Sequence, residues 1–210
     1  RKYNILIVGV GGQGIMTTGN LLKKIGHRKG WIVAGTETRG ASQREGSVDN
    51  SVRYVIFDAG EQRNERVSVV SPLIPIAGAD MLIAMEINEA LRGLKFVSER
   101  TCILINLCEI LPPQGSASWK GPSFDEVLGI VKTFSPDVRA IKANDIAKRE
   151  FGDFTMSNII MLGAALATGK LPIEVDDAKE LLKEEGGEKA SELLKGLQIG
   201  MNEMTKMGRE

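Results

Sequence analysis

The chain has 210 residues, with 27 basic and 27 acidic side chains, so its formal net charge is zero. Length allows one domain, or one domain with a helical appendage. A share of 42% hydrophobic with 26% charged residues excludes a disordered chain. The charge balance leaves no overall footprint for nucleic acid or an anionic membrane, so neither is expected as a partner.

The chain opens on a strand-like run without a signal-peptide pattern. Residues 5–10 are an almost continuous apolar run, expected of a strand buried on both faces. Residues 14–25 follow with helical spacing of Ile15, Leu21, Leu22 and Ile25, and 31–35 (WIVAG) reads as a second short strand. The opening is therefore expected to be a βαβ unit. Residues 47–57 show partial alternation, expected of a strand leaving a polar loop, and 67–70 is a further β-rich stretch.

Residues 79–85 and 101–107 are again buried-strand runs, with a short helical pattern at 86–94 between them. Pro112-Pro113 and the GSAS run at 115–118 mark a long surface loop. A helix at 124–133 and a strand at 138–143 complete the alternation. From 145 onward the pattern is helical, at 145–151, 157–168, 175–184 and 189–205, with Gly186-Gly187 separating the last two. The run at 159–167 falls short of the roughly 20 residues of a bilayer span and reads as a buried helix. These elements predict an α/β, doubly wound Rossmann-like sheet with a C-terminal helical layer. A main domain is expected over 1–172 and a helical extension over 173–210.

Two short segments carry the functional signal. Gly9-x-Gly11-x-x-Gly14 follows a strand and opens a helix, where backbone can approach a ligand and helix N–H groups face an anion. Gln13 adds a polar side chain at the mouth of this turn. As a dinucleotide site the match is incomplete, because WIVAG lacks the acidic residue that would hold a ribose and Glu37 lies beyond it. The second segment, 39–47, packs Arg39, Ser42, Gln43, Arg44 and Glu45 into seven residues, with Gly40 and Gly46 at its ends. Its arginines offer planar donors suited to carboxylate or phosphate. Gly9, Gly11, Gly12, Gln13, Gly14 and those five loop residues are the candidate ligand-binding residues. A tight turn that binds nothing and a solvated loop are the competing explanations.

Other constellations yield no chemistry. His27 is the sole histidine, so no conventional relay can be built, and it is expected at the solvated end of the first helix. Cys102 and Cys108 would face one side of a strand about 20 Å apart at ~3.3 Å per residue, too far to bridge. Both are expected as buried small hydrophobes in a reduced, cytoplasmic compartment. No cysteine set is suited to a cluster or structural zinc, and Gly152-Asp153 lacks the downstream asparagines of a thiamine motif. Met156, Met161, Met201, Met204 and Met207 read as core or partner-facing filler.

Five stretches, GVGGQGIMTTGNLL, RGASQREGSV, SPLIP, ADMLIAMEINEALR and NIIMLGA, resemble the gamma-type domain of 2-oxoacid:ferredoxin oxidoreductases. Among these they are most similar to the small (beta) subunits of indolepyruvate ferredoxin oxidoreductases. The resemblance covers residues from about 3 to 168, and Glu45 departs from the glycine of a more typical SQRGG. It implies a complex that decarboxylates a 2-oxoacid on thiamine diphosphate, passes electrons through iron–sulfur clusters to ferredoxin and releases an acyl-CoA. It also implies that thiamine diphosphate and the clusters belong to the large (alpha) subunit, with coenzyme A a substrate of the complex. This chain would bind no cofactor alone and would be inactive alone. Relatives acting on pyruvate, 2-oxoisovalerate or 2-oxoglutarate carry such a domain too. A stand-alone Rossmann-type nucleotide-binding protein and a purely structural subunit are the alternatives.

Overall fold

The computed structural model describes residues 1–40, 46–57, 71–110 and 121–207. In chain order these form β1 (Lys2–Val10), α1 (Ile15–Arg28), β2 (Ile32–Ala34), β3 (Glu37–Arg39), β4 (Ser47–Val55), β5 (Met81–Ala84), α2 (Ile87–Gly93) and a 3-10 turn at Leu94–Phe96. There follow β6 (Cys102–Asn106), α3 (Phe124–Phe134), β7 (Val138–Ile141), α4 (Ala143–Phe151), α5 (Ser157–Ala167), α6 (Val175–Glu185), a 3-10 turn at Gly187–Lys189 and α7 (Ala190–Met207). The expected β-rich stretch at 67–70 and the proline-rich loop lie outside the described residues.

The strands make one sheet in the order β2-β4-β1-β5-β6-β7, with β3 also paired to β4. β1, β5, β6 and β7 are parallel, and β1, β5 and β6 are the apolar runs buried on both faces. The expected βαβ opening is modified. β4 lies antiparallel between β1 and β2, and among the described residues β2 pairs only with β4. The ladder explains this placement: β4 matches β1 from Lys2↔Val55 to Val10↔Ser47, whereas β2 has three residues to offer. The Rossmann-like class stands, with a mixed sheet.

Alternation along β1 divides the core between the two faces. Ile5 and Ile7 join α1 and α5 on one side, while Leu6 and Val8 join α2 and α3 on the other. β4 follows the same period, its Val48, Val52 and Tyr54 packing in the first cluster. Its opposite face carries Ser51 and Arg53, which tie down the 71–73 segment: Ser51 Oγ donates to the Pro72 carbonyl at 2.8 Å, and Arg53 Nη1 donates to that of Leu73 at 2.7 Å.

α5 is buried from Ser157 to Leu166 because it lies between the sheet and α7. Leu197 and Met204 of α7, and Leu181 and Leu182 of α6, belong to the same core cluster as α1 and α5. Lys24, Arg28 and Lys29 at the end of α1 pair with Glu185, Glu184 and Asp177 of α6. His27 is exposed on α1, as expected, and Cys102 is buried in β6. Met161 and Met204 are core residues, whereas Met207 is exposed. No helix among the described residues is long and apolar enough to cross a membrane.

Candidate functional site

The carboxyl ends of β1, β5 and β6 meet at the glycine turn. Gly12 and Gly14 have φ of 96° and 73°, left-handed values that L side chains rarely adopt. Gly14 also leaves no room for a Cβ, which would lie 2.5 Å from Asn158 Nδ2. Gly9 is hemmed in by Gln13 and Met85.

Gln13 turns inward instead of reaching toward solvent. Its Oε1 accepts from the Val10 N–H at 2.8 Å, and its Nε2 donates to the Met85 carbonyl at 2.9 Å. Val10 ends β1 and Met85 follows β5, so this amide fills the crevice between two adjacent parallel strands. In Rossmann sheets that crevice, at the switch of strand order, receives the dinucleotide. Here a side chain occupies it, and the open space lies to one side, toward α5.

Asn106 extends the same network. Fully buried at the end of β6, it donates from Nδ2 to Asn144 Oδ1 at 2.9 Å and accepts the Ala143 N–H at 2.9 Å through Oδ1, which satisfies the start of α4. Cys108 departs from its expected role as a buried hydrophobe. β6 ends at Asn106, so Cys108 lies beyond the strand and is only half-buried. Its Sγ donates to the Met85 carbonyl at 3.2 Å and receives Asn106 Nδ2 at 3.3 Å. Burial, reinforced by nearby Glu86, pushes its thiol up to about 12, and burial does the same for Cys102. Neither is a thiolate at neutral pH.

Of the polar segment 39–47, the described ends lie near the glycine turn. β3 and β4 form a hairpin, with Gly40 N–H donating to the Ser47 carbonyl at 2.8 Å. Gly11 N–H donates to the Gly46 carbonyl at 2.9 Å, which seats the hairpin's end beside the glycines. Ser42, Gln43, Arg44 and Glu45 lie outside the described residues. Arg39 is exposed and paired with Glu37 at 2.7 Å, an exposed contact worth little. Below it, Ser47 Oγ donates to Glu89 Oε2 at 2.6 Å, joining α2 to the hairpin. Burial holds the Glu89 carboxyl above the usual carboxylate range, against the opposing effects of Ser47 and Arg92.

The open space is a cavity of about 760 Å³, within the size range of small-molecule sites. Its walls come from the glycine turn, the start of α5 and the turn before α7. α1 and α5 both begin here without a side-chain cap, in contrast to α3, where Ser123 and Glu126 close a reciprocal capping box. The uncapped first turn of α1 gives this wall a positive partial charge, whereas at α5 the Ser157 and Ile159 N–H groups donate to the Phe154 and Met156 carbonyls.

Sequence reasoning missed Asn106, Phe154 and Asn158, which lie far from both motifs. The signal for Asn158 was the polar residue opening the apolar NIIMLGA run; Asn106 and Phe154 had no local signal. Asp153, set aside as a thiamine motif, accepts the Thr155 N–H at 2.8 Å, and hydrogen bonding from the Thr155 side chain and backbone holds its carboxyl below the usual range.

Comparison with known proteins gives one consistent picture. Residues 4–199 match the pyruvate ferredoxin/flavodoxin oxidoreductase family. Indolepyruvate oxidoreductase subunit IorB of Archaeoglobus fulgidus is 35% identical over 204 residues, covering 96% of this chain and 95% of that protein. The fold is shared with pyruvate oxidoreductase subunit PORC of Thermotoga maritima, with a TM-score of 0.66 at 16% identity over 96% of each chain. It is shared too with a 2-oxoglutarate:ferredoxin oxidoreductase of Magnetococcus marinus solved with 2-oxoglutarate, coenzyme A and succinyl-CoA (TM-score 0.63, 17% identity). That match covers all of this chain but 31% of the other.

Proposed function

Since the chain belongs to the pyruvate ferredoxin/flavodoxin oxidoreductase family and is a homologue of the IorB subunits, we propose that it is the small subunit of an indolepyruvate ferredoxin oxidoreductase. The complex oxidatively decarboxylates an aryl 2-oxoacid to an acyl-CoA, with the electrons passing to ferredoxin. The observation that carries the assignment is the 35% identity to an IorB subunit across nearly the whole of both chains. Thiamine diphosphate and iron–sulfur clusters are assigned to a large subunit, which supplies the carbon chemistry and the electron path. This chain's two cysteines support that division, one buried in β6 and the other engaged with Met85 and Asn106.

The chain acts by positioning, without covalent chemistry. Gly11, Gly12 and Gly14 present backbone at the cavity, and Gln13 holds that turn to the ends of β1 and β5. Arg39 lies on β3 beside it, and Ser42, Gln43, Arg44 and Glu45 are assigned in this proposal to covering coenzyme A or meeting the large subunit. Residues 1–172 form the gamma-type domain in this proposal, and 173–210 form a helical buttress behind α5. A stand-alone nucleotide-binding role is less well supported, because Gln13 occupies the crevice that a Rossmann dinucleotide would need.

The test is co-expression with a large subunit bearing a thiamine motif and cysteine-rich repeats. Association and indolepyruvate- and coenzyme A-dependent ferredoxin reduction are expected only with both chains present, and the purified small chain is expected to be colourless. Full activity of the large subunit alone, or a visible cluster band in this chain, would overturn the assignment.

A further inference from the structure

The segment at 71–78 presents apolar side chains to solvent on the face of the sheet opposite α1 and α5. Leu73 is 65% exposed and Ile76 81%, and Pro72, Pro75 and Ala77 are exposed beside them. Ile74 alone turns into the core, where it joins Leu6 and Val8. The backbone of this segment is pinned. The buried Arg53 guanidinium donates to the Ser71 and Leu73 carbonyls, Ser51 Oγ donates to that of Pro72, and Ala77 N–H donates to that of Lys95 at 3.0 Å. Arg53 makes its other hydrogen bond to Asn4 Oδ1 and pairs with no carboxylate among the described residues. Desolvating a guanidinium is costly, and here it serves to hold two backbone carbonyls in place. Ala77 has φ of 54°, the sole left-handed value at a non-glycine among the described residues. Strain of that kind persists only where the surroundings impose it, and it gathers at binding sites. Exposed apolar side chains on a rigid, strained segment mark a contact surface.

Behind Leu73 and Ile74 lies a cavity of about 210 Å³, walled also by Leu6, Phe96, Thr36 and Thr38. It is smaller than the ~300–1,000 Å³ of small-molecule sites and suits one large side chain. It shares no lining residue with the cavity at the glycine turn. Asp49 of β4 lines it too, and the enclosed Oδ1 of that carboxyl has no hydrogen-bond partner among the described residues. Burial holds the carboxyl above the usual range, against the opposing effects of Lys95 and Arg92. Neither cation pairs with it: Arg92 lies 3.6 Å from Glu89, and Lys95 Nζ lies 4.9 Å from the Phe96 ring centroid. A carboxylate oxygen enclosed without a donor costs free energy until one reaches it. The donor that suits a carboxylate in a largely apolar hole is a long basic side chain, aliphatic along its stem and charged at its tip.

We infer that this face docks the large subunit, which inserts one basic side chain beside Asp49 and lays apolar residues over Leu73 and Ile76. The inference rests on the subunit assignment above for the identity of the partner. The face itself fixes the partner's chemistry: a charged anchor in a pocket of one-residue size, ringed by apolar contact.

Titration of the large subunit with this chain, read as association, tests the face. Asp49→Asn keeps the shape and removes the charge, and it should weaken association about tenfold to a hundredfold. Ile76→Ser removes apolar contact at a solvent-exposed position and should weaken association about tenfold. As isolated chains both variants should melt no lower than the parent, because Asp49 Oδ1 has no partner to lose and Ile76 stands in solvent. A lower melting temperature for Asp49→Asn would show that a group of this chain already serves the carboxyl, and would overturn the basic anchor. A parent chain that forms a dimer, lost on Ile76→Ser, would overturn the choice of partner. Parental association by both variants would overturn the face and leave the subunit assignment standing, whereas a parent chain that does not associate at all would overturn both.

Discussion

Gly12 and Gly14 at the β1–α1 turn, and Gly163 and Gly200 between α5 and α7, use the missing side chain for different ends. At the turn the backbone lies in the left-handed region, and a Cβ on Gly12 would meet nothing within 4 Å. Between the helices no positive φ is involved. There a Cβ on Gly163 would collide with the Leu197 carbonyl, and one on Gly200 with that of Ile160. Gly12 is open and conformationally demanding, Gly14 is demanding in both ways, and the helix pair is closed and sterically demanding alone. Substitutions should therefore separate function from stability along this line.

The largest loss of stability is expected for Gly200→Ala. The added methyl meets a backbone carbonyl, which cannot rotate away as a flexible side chain would, so α5 and α7 must part. A cost of roughly 3 kcal/mol follows from overpacking of this kind. Urea denaturation measures it, and a midpoint equal to that of the parent would show that the helices slide apart freely.

Gly12→Val should reverse the balance. Space is available, so the cost is backbone strain alone, about 1–2 kcal/mol for a β-branched residue at positive φ. The folded protein should still join the complex, whereas turnover should fall at least about tenfold if the turn approaches a ligand, since ~1.4 kcal/mol is tenfold. Parental turnover by a folded Gly12→Val protein would reduce the turn to a structural device.

The smallest effect concerns Glu89, under the hairpin. Burial raises its folded-state pKa above the unfolded value, so between the two the native state binds more protons. Its contribution to stability is present below the ordinary carboxylate range and is lost as pH rises through the raised folded pKa. Glu89→Gln removes this dependence and keeps an acceptor for Ser47. The variant should gain on the parent in urea midpoints as pH rises from the ordinary carboxylate range through the raised folded value. A constant difference would mean that the group titrates as it does in the unfolded chain.

By itself the sequence determined the order and type of the main elements, because continuous apolar runs and helical spacing each have a single period to satisfy, but not β3, whose three exposed residues carry no apolar pattern. It also located the glycine turn, since strand, glycines and helix are contiguous in the chain. What it could not place was β4, whose position beside β1 depends on a nine-residue ladder between segments far apart. Nor did it show that Gln13 would turn inward, because its partners Val10 and Met85 become neighbours only when β1 and β5 pair. Asn158 and Phe154 reach the cavity for the same reason: α5 packs against the sheet with its first turn beside Gly14. Local pattern sets the backbone states of short segments, whereas a site shared by residues as far apart in sequence as Gly14 and Asn158 exists only after burial of the core has brought them together.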